Sequence, residues 1–338
     1  MVIQKEISLK NYNTFGIDVR AAAMASFSST EELIKILKDD FVRESPKLIL
    51  GGGSNILFTG DFDGIVLKNN IPGIVITEDL QHEVLVTAGA GVKWHALVCF
   101  CIEKGFGGIE NLSLIPGNTG AAPIQNIGAY GVELKDTFHS LNAVDIETAE
   151  VISFTNEQCK FGYRDSIFKK ELKGKVAITE VTLKLSKNPV LKLSYGAIEQ
   201  ELKNMGITSP DVKAVSDAVC AIRQSKLPDP EEIGNAGSFF KNPEISAEVL
   251  MQLQKDFPGV VSYPLANGNV KLAAGWLIEQ CGWKGKVVGN TGSHKNQALV
   301  LVNYGNASGN EIWELAIKIK ESVQQQFHVD IEPEVNVM

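Results

Sequence analysis

The chain has 338 residues, 44% of them hydrophobic and 21% charged, with a formal net charge of −8. That length allows two or three domains, each with its own core, and the composition is that of an ordinary globular protein, which excludes a disordered or collagen-like chain. The acidic balance, with no basic stripe, argues against nucleic acid or an anionic membrane surface, so any anionic ligand must be held by local groups.

The opening Met-Val-Ile-Gln-Lys-Glu lacks an apolar signal core and no stretch approaches the roughly 20 apolar residues of a membrane span, so a cytoplasmic location is expected. Cys99, Cys101, Cys159, Cys220 and Cys281 are unpatterned and mostly set among apolar neighbours, as reduced core thiols would be. With the histidines equally scattered, no metal site is expected.

In chain order, residues 11–18, Asn-Tyr-Asn-Thr-Phe-Gly-Ile-Asp, form a polar opening that means little alone. Ser29 and Glu32 have the spacing of a capping box and open a helix through Leu33, Ile36 and Leu37. A strand over 48–50 then runs into Gly51-Gly52-Gly53-Ser54-Asn55. Strand, glycine turn, hydroxyl and amide is how main-chain N–H groups cradle a phosphate where no lysine is present; a plain tight turn is the alternative. The turn is neither a Walker loop nor a dinucleotide-binding glycine fingerprint.

Strands over 65–67, 74–76 and 84–87 lead to a second small-residue turn, Gly89-Ala90-Gly91, and a helix over 93–104 buries Trp94, Leu97, Val98 and Cys101. That helix delivers the chain into residues 108–136, which hold five glycines, no regular period and almost no charge before Glu133. A surface linker of that length should be polar, so this run reads as backbone wrapped around a guest, with main-chain nests suited to a phosphate-bearing cofactor. An Ω-loop packed on itself is the alternative. Two glycine turns and one neutral loop among alternating strands and helices suggest a bipartite α+β module gripping one extended cofactor.

Farther on, a strand near 143–146 precedes the turn Gly162-Tyr163-Arg164-Asp165-Ser166, and residues 176–185 alternate with one phase slip at Glu180-Val181, predicting a half-buried strand with a bulge. Ser194-Tyr195-Gly196 lies in the connection that follows. Ser209-Pro210 is expected to start a helix with Val212, Val215, Val219 and Ile222 on its apolar face, ending in Arg223, Ser225 and Lys226 before the boundary Pro228-Asp229-Pro230. Ser238, between Gly237 and Phe239, faces a cleft or is a satisfied turn serine. Helices follow over 246–257, 273–280 and 311–327. A polar cluster at His294 to Gln297 precedes a strand over 298–302, and Glu334 sits in an apolar terminal strand.

Together these stretches resemble the UDP-N-acetylenolpyruvoylglucosamine reductase family. The likeness is carried by Asn13-Thr14-Phe15-Gly16, the 51–55 turn, the 113–133 loop, Tyr163-Arg164-Asp165-Ser166, Gly237-Ser238-Phe239-Phe240-Lys241-Asn242-Pro243 and Ile331-Glu332-Pro333-Glu334-Val335, in the family's order over almost the whole chain. The Tyr195 segment matches the longer of the family's two forms, in which an extra loop carries a tyrosine over the substrate. The chain stops four residues after Glu334, where many relatives add a tail, so a short terminal strand is expected.

The resemblance implies an α+β, three-domain FAD-binding fold of the vanillyl-alcohol-oxidase (PCMH) type with a substrate-binding third domain. Residues 1–72, joined by 328–338, would form the first FAD-binding part, 73–220 the second, and 221–327 the substrate domain. It implies noncovalent FAD held by Gly51, Gly52, Gly53, Ser54, Asn55, Ser113, Ile115, Pro116, Gly117, Asn118, Gly120, Ala121, Gln125 and Ile127, with NADPH as co-substrate. The implied reaction is reduction of UDP-N-acetylglucosamine enolpyruvate to UDP-N-acetylmuramate in peptidoglycan precursor synthesis. Arg164 matches the cation for the substrate carboxylate, Ser238 the proton donor, and Glu334 an acidic partner that acts protonated on the enolate or ionised as an orienting group. Tyr163, Tyr195, Lys226, Asn242 and Gln297 match the substrate-binding set, with Tyr195 on a glycine-hinged lid. A monomer with no nucleic-acid or membrane partner is expected. The alternatives are another flavin oxidoreductase of this fold acting on a hydroxy acid or sugar, or a silent FAD or nucleotide-sugar binding protein.

Overall fold

The structure, a computed structural model, describes residues 2–195, 197–265 and 267–338. The chain forms two compact units: Met1–Ile7, Arg20–Gly53 and Phe62–Gln224 make the first, and Ser8–Val19, Ser54–Asp61 and Ser225–Met338 the second.

In the first unit, Phe62–Asn69 runs parallel between Arg20–Phe27 and Lys47–Leu50, with Gln4–Ser8 outermost. Helix Thr30–Leu37 covers this sheet with Leu33, Ile36 and Leu37, packed on Ala23, Ala25, Phe27, Ile65 and Leu67. Ser29 caps it as expected, but Glu32 reaches back to the N–H of Ser28, at 2.7 Å.

A second, antiparallel sheet has the order Val151–Thr155, Phe138–Asp145, Val176–Ser186, Glu83–Gly89, Ile74–Asp79. The expected bulge is present, one residue before the phase slip: Ile178 pairs with Ala143 and Glu180 with Asn142, leaving Thr179 extra. That residue aims its carbonyl at the N–H of Ala90, 2.9 Å away, so the bulge supports the second small-residue turn. Helix Trp94–Glu103 buries Trp94, Leu97, Val98 and Cys101 against Val84, Val86, Val181 and Leu183, and the irregular 108–136 loop adds Ile109, Leu112, Ile127 and Leu134 to the same core. At about 1.5–3 kcal/mol for each large apolar side chain buried, the loop is anchored as firmly as a regular element.

Helices Ile198–Asn204 and Val212–Lys226 share a small core of Ile198, Leu202, Val215, Val219 and Ile222. Ser209-Pro210 does not start the second helix. Its first turn is capped by Asp211, whose carboxylate accepts the N–H of Ala214 at 2.8 Å. A carboxylate two residues nearer the helix, facing its positive end, outcompetes the serine.

In the second unit, Gly234–Ser238, Val300–Asn303, Thr291–Ser293 and Val287–Val288 form an antiparallel sheet. Helix Gly309–Phe327 opens with a Ser308–Glu311 capping box and closes with the Phe327 ring 4.6 Å from Phe257 and 5.7 Å from Trp276. The terminal strand Asn336–Val337 pairs parallel with Ile56–Leu57, and Thr59 donates from N to the carbonyl of Met338 at 2.7 Å, so the short end is tied down to its last residue.

The opening motif now has a purpose. The Asn13 amide donates to the carbonyls of Leu9 and Ile17 and accepts from Ile17 N, knotting a turn that presents Thr14 and Phe15. The N–H of Asn235 reaches Thr14 O at 2.9 Å, the Asn303 amide reaches Phe15 O at 2.9 Å, and the Phe15 ring meets Phe239 edge-on at 6.4 Å. Gly234 lies so close that a Cβ there would sit 2.3 Å from Phe15 O. Gly234→Ala is expected to destabilise the protein by about 1–3 kcal/mol, as overpacking does, seen as a lowered thermal midpoint. Gly60→Ala, where an added Cβ meets nothing within 4 Å, is the control that should leave the midpoint in place.

Candidate active site

Three main-chain segments of the first unit meet around the first glycine turn. Trp94 N donates to Gly117 O at 2.9 Å, Thr119 N to Val92 O at 2.8 Å and Gly120 N to Ala90 O at 3.0 Å, which seats 117–120 on the Gly89-Ala90-Gly91 turn. A Cβ on Gly52 would stand 3.0 Å from both Asn118 Oδ1 and Gly117 Cα, so glycine there is a requirement of close approach. The expected cofactor residues Gly51, Gly52, Gly53, Gly117, Asn118 and Gly120 are therefore brought together, with Ala121 donating from N to Asn118 O at 3.0 Å.

Ser113 acts internally: its buried hydroxyl bonds Glu110 O and the Ser216 hydroxyl, both at 2.7 Å, lashing the loop to helix Val212–Lys226. Ile127 is buried in the core, while Ile115 packs half-buried against it. Ser54 and Asn55 belong to the second unit, where the Asn55 amide holds the carbonyl of Glu334 at 3.3 Å.

One cation was missed. Lys68, ending the buried run Ile65-Val66-Leu67, donates its ammonium to the carbonyl of Gly51, so the turn read as working without a lysine has one behind it. Burial pushes that ammonium below the usual lysine range. A lysine directly after the apolar run Ile65-Val66-Leu67 was the available signal.

The turn carrying Arg164 is bolted to residues 124–128: Asn126 Nδ2 donates to Gly162 O at 2.9 Å and Ser166 Oγ to Ile124 O at 2.6 Å. Arg164 Nη2 donates to Gly128 O at 2.6 Å, and its guanidinium stands 5.7 Å from the centre of the Tyr163 ring. Leu114, Asn126, Tyr130 and Arg164 all have positive φ, between 43° and 57°. Each costs about 1–2 kcal/mol for a residue with a Cβ, and such strain gathers where a site dictates geometry. Tyr195 is exposed and lies against Gly131; Gly196, expected to hinge its loop, is outside the described residues.

In the second unit, the segments that carry Ser238 and Glu334 run side by side. A bulge between Asn235 and Ser238, closed by Gly237 N donating to Asn235 Oδ1 at 2.9 Å, turns the serine outward. Phe239 and Phe240 then plug the core at 0% and 1% exposure. Glu334 donates from N to Phe239 O at 2.7 Å, and Lys241 N donates to Glu332 O at 2.9 Å, so the terminal segment runs alongside the serine segment. Asn242 and Gln297 converge on the start of helix Ala274–Gln280: Asn242 Oδ1 accepts from Ala274 N at 3.0 Å, and Gln297 Oε1 lies 3.1 Å from where a Cβ on Gly275 would be. Lys226 is exposed at the end of helix Val212–Lys226.

A glycine-lined cradle backed by a half-buried ammonium, within a mixed α+β fold, fits a diphosphate-bearing cofactor such as FAD, the class of an FAD-binding protein. Residues 21–155 match the FAD-binding domain profile, and residues 229–338 match the C-terminal domain of UDP-N-acetylenolpyruvoylglucosamine reductase. The chain is 52% identical over its whole length to the UDP-N-acetylenolpyruvoylglucosamine reductase of Flavobacterium johnsoniae, all of which is covered. It is 49% identical to that of Pseudomonas aeruginosa over 99% of this chain and 98% of the relative. The crystal structure of the Thermus caldophilus reductase superposes with a TM-score of 0.68 at 25% identity, covering 100% of this chain and 99% of that one. A solvent-stable cholesterol oxidase shares the fold alone, with a TM-score of 0.52 at 11% identity, over 99% of this chain and 86% of that one. The chain belongs to the UDP-N-acetylenolpyruvoylglucosamine reductase family, and the expected α+β FAD-binding fold is the one it adopts.

Gly52→Val should push 117–118 off the turn. The flavin carried per protein after purification is expected to fall several-fold by absorbance, and an unchanged ratio would count against the cradle.

Proposed function

We propose that this chain reduces the enolpyruvyl ether of UDP-N-acetylglucosamine enolpyruvate to the lactyl ether of UDP-N-acetylmuramate, using NADPH. FAD, held by the 51–55 turn and the 113–127 loop, supplies the hydride chemistry when bound. An enol ether is electron-rich, so the vinyl group accepts hydride only where charge developing on its carboxylate, as an enolate, is stabilised. Arg164 is the cation for that task. Its bond to Gly128 O, at 2.6 Å, fixes the direction of the guanidinium, whose fork suits a carboxylate.

Ser238 donates the proton to the carbon bearing the ether and carboxylate. The supporting observation is the hydrogen bond from Glu334 N to Phe239 O, at 2.7 Å, which runs the segment carrying Glu334 beside the strand that ends at Ser238. A serine is a weak acid, so the alkoxide it leaves needs stabilising donors, and Glu334 either shares the proton or orients the hydroxyl. Asn242, Gln297, Lys226, Tyr163 and Tyr195 bind the nucleotide sugar, Lys226 supplying a point charge for the diphosphate. We read 1–72 with 328–338 and 73–220 as the FAD-binding parts and 221–327 as the substrate domain. The protein is taken as a cytoplasmic monomer with small-molecule partners only, which light scattering checks for the oligomeric state.

Replacing Ser238 by Ala tests the assignment. Bleaching of the flavin by NADPH should survive, while reoxidation by the enolpyruvyl nucleotide sugar slows by roughly 10²–10⁴-fold, the range of a lost general acid. Reoxidation at the wild-type rate in a stopped-flow trace would remove Ser238 from the mechanism.

A further inference from the structure

Leu114, at φ +57°, is gripped from both sides by ionisable side chains that the proposed chemistry does not use. Its N–H donates to Nδ1 of His95, from helix Trp94–Glu103, at 3.0 Å. Its carbonyl accepts from Nε of Arg223, from helix Val212–Lys226, at 3.2 Å. A ring nitrogen that accepts an N–H carries no proton, so the imidazole proton sits on Nε2; Cys99 Sγ lies beside the ring, 3.6 Å from Nε2 and 4.0 Å from Nδ1.

The surroundings hold that tautomer neutral. Burial, and then the charge of Arg223, push His95 below the ordinary imidazole range. Burial raises the Cys99 thiol, and Glu103 and Asp217 act on it in the same direction. Cys220 is raised by its own burial and by Cys99, while Tyr130 faces Arg223 from the loop. Arg223 therefore acts twice, holding the Leu114 carbonyl and disfavouring an imidazolium beside it.

We propose that His95 and Arg223 are positioning residues that lock the 113–118 segment for FAD, and that protonation of His95 releases the lock. The inference rests on the reading of that segment as the cofactor loop. A leucine does not hold a left-handed backbone unaided, and two hydrogen bonds, one to each side of its Cα, fix both adjoining peptides and with them Ser113 and Ile115. Once Nδ1 carries a proton it opposes the Leu114 N–H, donor against donor, and the peptide must turn away. Because the folded protein holds this histidine below its ordinary value of 6.5, the lock is complete above 6.5 and fails only below it, as the pH falls through the lowered value.

Two readouts on the full-length chain test this: hydrogen exchange of the Leu114 amide in flavin-stripped protein, and FAD affinity by fluorescence quenching, each between about pH 8 and 5.5. The wild type is expected to hold its FAD affinity down to about pH 6.5 and to lose it progressively below, by up to roughly tenfold once His95 is fully protonated, the effect of stranding one buried donor, with faster exchange at Leu114. His95→Asn, whose amide oxygen stands in for Nδ1, should bind tightly at every pH with a flat profile; His95→Leu should bind weakly at every pH. A pH dependence that persists in His95→Asn, or a His95→Leu protein with wild-type exchange and affinity, overturns the proposal. Should His95→Leu fail to fold, the comparison of wild type with His95→Asn decides alone. If stripped wild type binds no FAD yet exchange at Leu114 still follows the residue at 95, the cofactor reading fails and the lock stands.

Discussion

Irregular backbone buried in a core must find partners for every N–H and C=O it carries, and this constraint shapes the first unit. The 108–136 loop has only three-residue 3-10 turns and a pair of two-residue strands to do so, and it borrows partners from its neighbours. Gly117, Thr119 and Gly120 bond the backbone of Trp94, Val92 and Ala90; Ala90 in turn bonds the carbonyl freed by the Thr179 bulge; and Leu112 O takes the indole N–H of Trp94. Each bond requires the others in place, because the bulge, the small-residue turn and the loop are stacked in one chain of contacts. The close approach at Gly52 is the last link of that chain, so its geometry depends on a bulge far from it in sequence.

The second unit meets the same demand with asparagine amides. Asn13, Asn235 and Asn303, each buried, saturate the carbonyls and N–H groups of turns that no ladder reaches. An amide offers donor and acceptor at once, which lets a single side chain close a turn and hold a neighbouring strand. Asn235 does so at the bulge before Ser238, so an exposed hydroxyl stands directly on the rigid Phe239 and Phe240 pair. That arrangement suits a proton donor, which needs access for its hydroxyl and immobility for its backbone.

Regular elements were legible wherever a period was sustained. Leu33, Ile36 and Leu37, or Ile312, Leu315, Ile319, Val323 and Phe327, announce buried helix faces, and the structure buries them. The glycine turn and the neutral loop were legible as a pair because composition alone shows close backbone approach. What the sequence hid were partners distant along the chain. Lys68 looked like a surface lysine at a strand end until its strand was paired beside Lys47–Leu50. His95 and Arg223 sat on amphipathic helices with nothing local to single them out, and only the fold brings both to Leu114. The helix start at Asp211 was misread because serine and proline form a stronger local pattern than one aspartate, whereas the charge nearest the helix end decides the cap.

An acidic chain that takes polyanionic ligands cannot rely on net charge, and the first unit shows how it manages. Lys68 and Arg223 are each held by a main-chain carbonyl, of Gly51 and Leu114 respectively. By contrast the exposed lysines nearby, such as Lys170 with Asp165 and Lys192 with Asp136, are matched to carboxylates. A carbonyl dipole orients a cation while cancelling little of its charge, whereas a carboxylate removes most of the field. Burial makes such cations costly to maintain, and for Lys68 and Arg223 it lowers the pKa of the charged group. An arriving anion relieves that cost. Lys68 and Arg223 are thus held in the folded protein as incompletely neutralised charge, and the carbonyl-rich loops keep them in place.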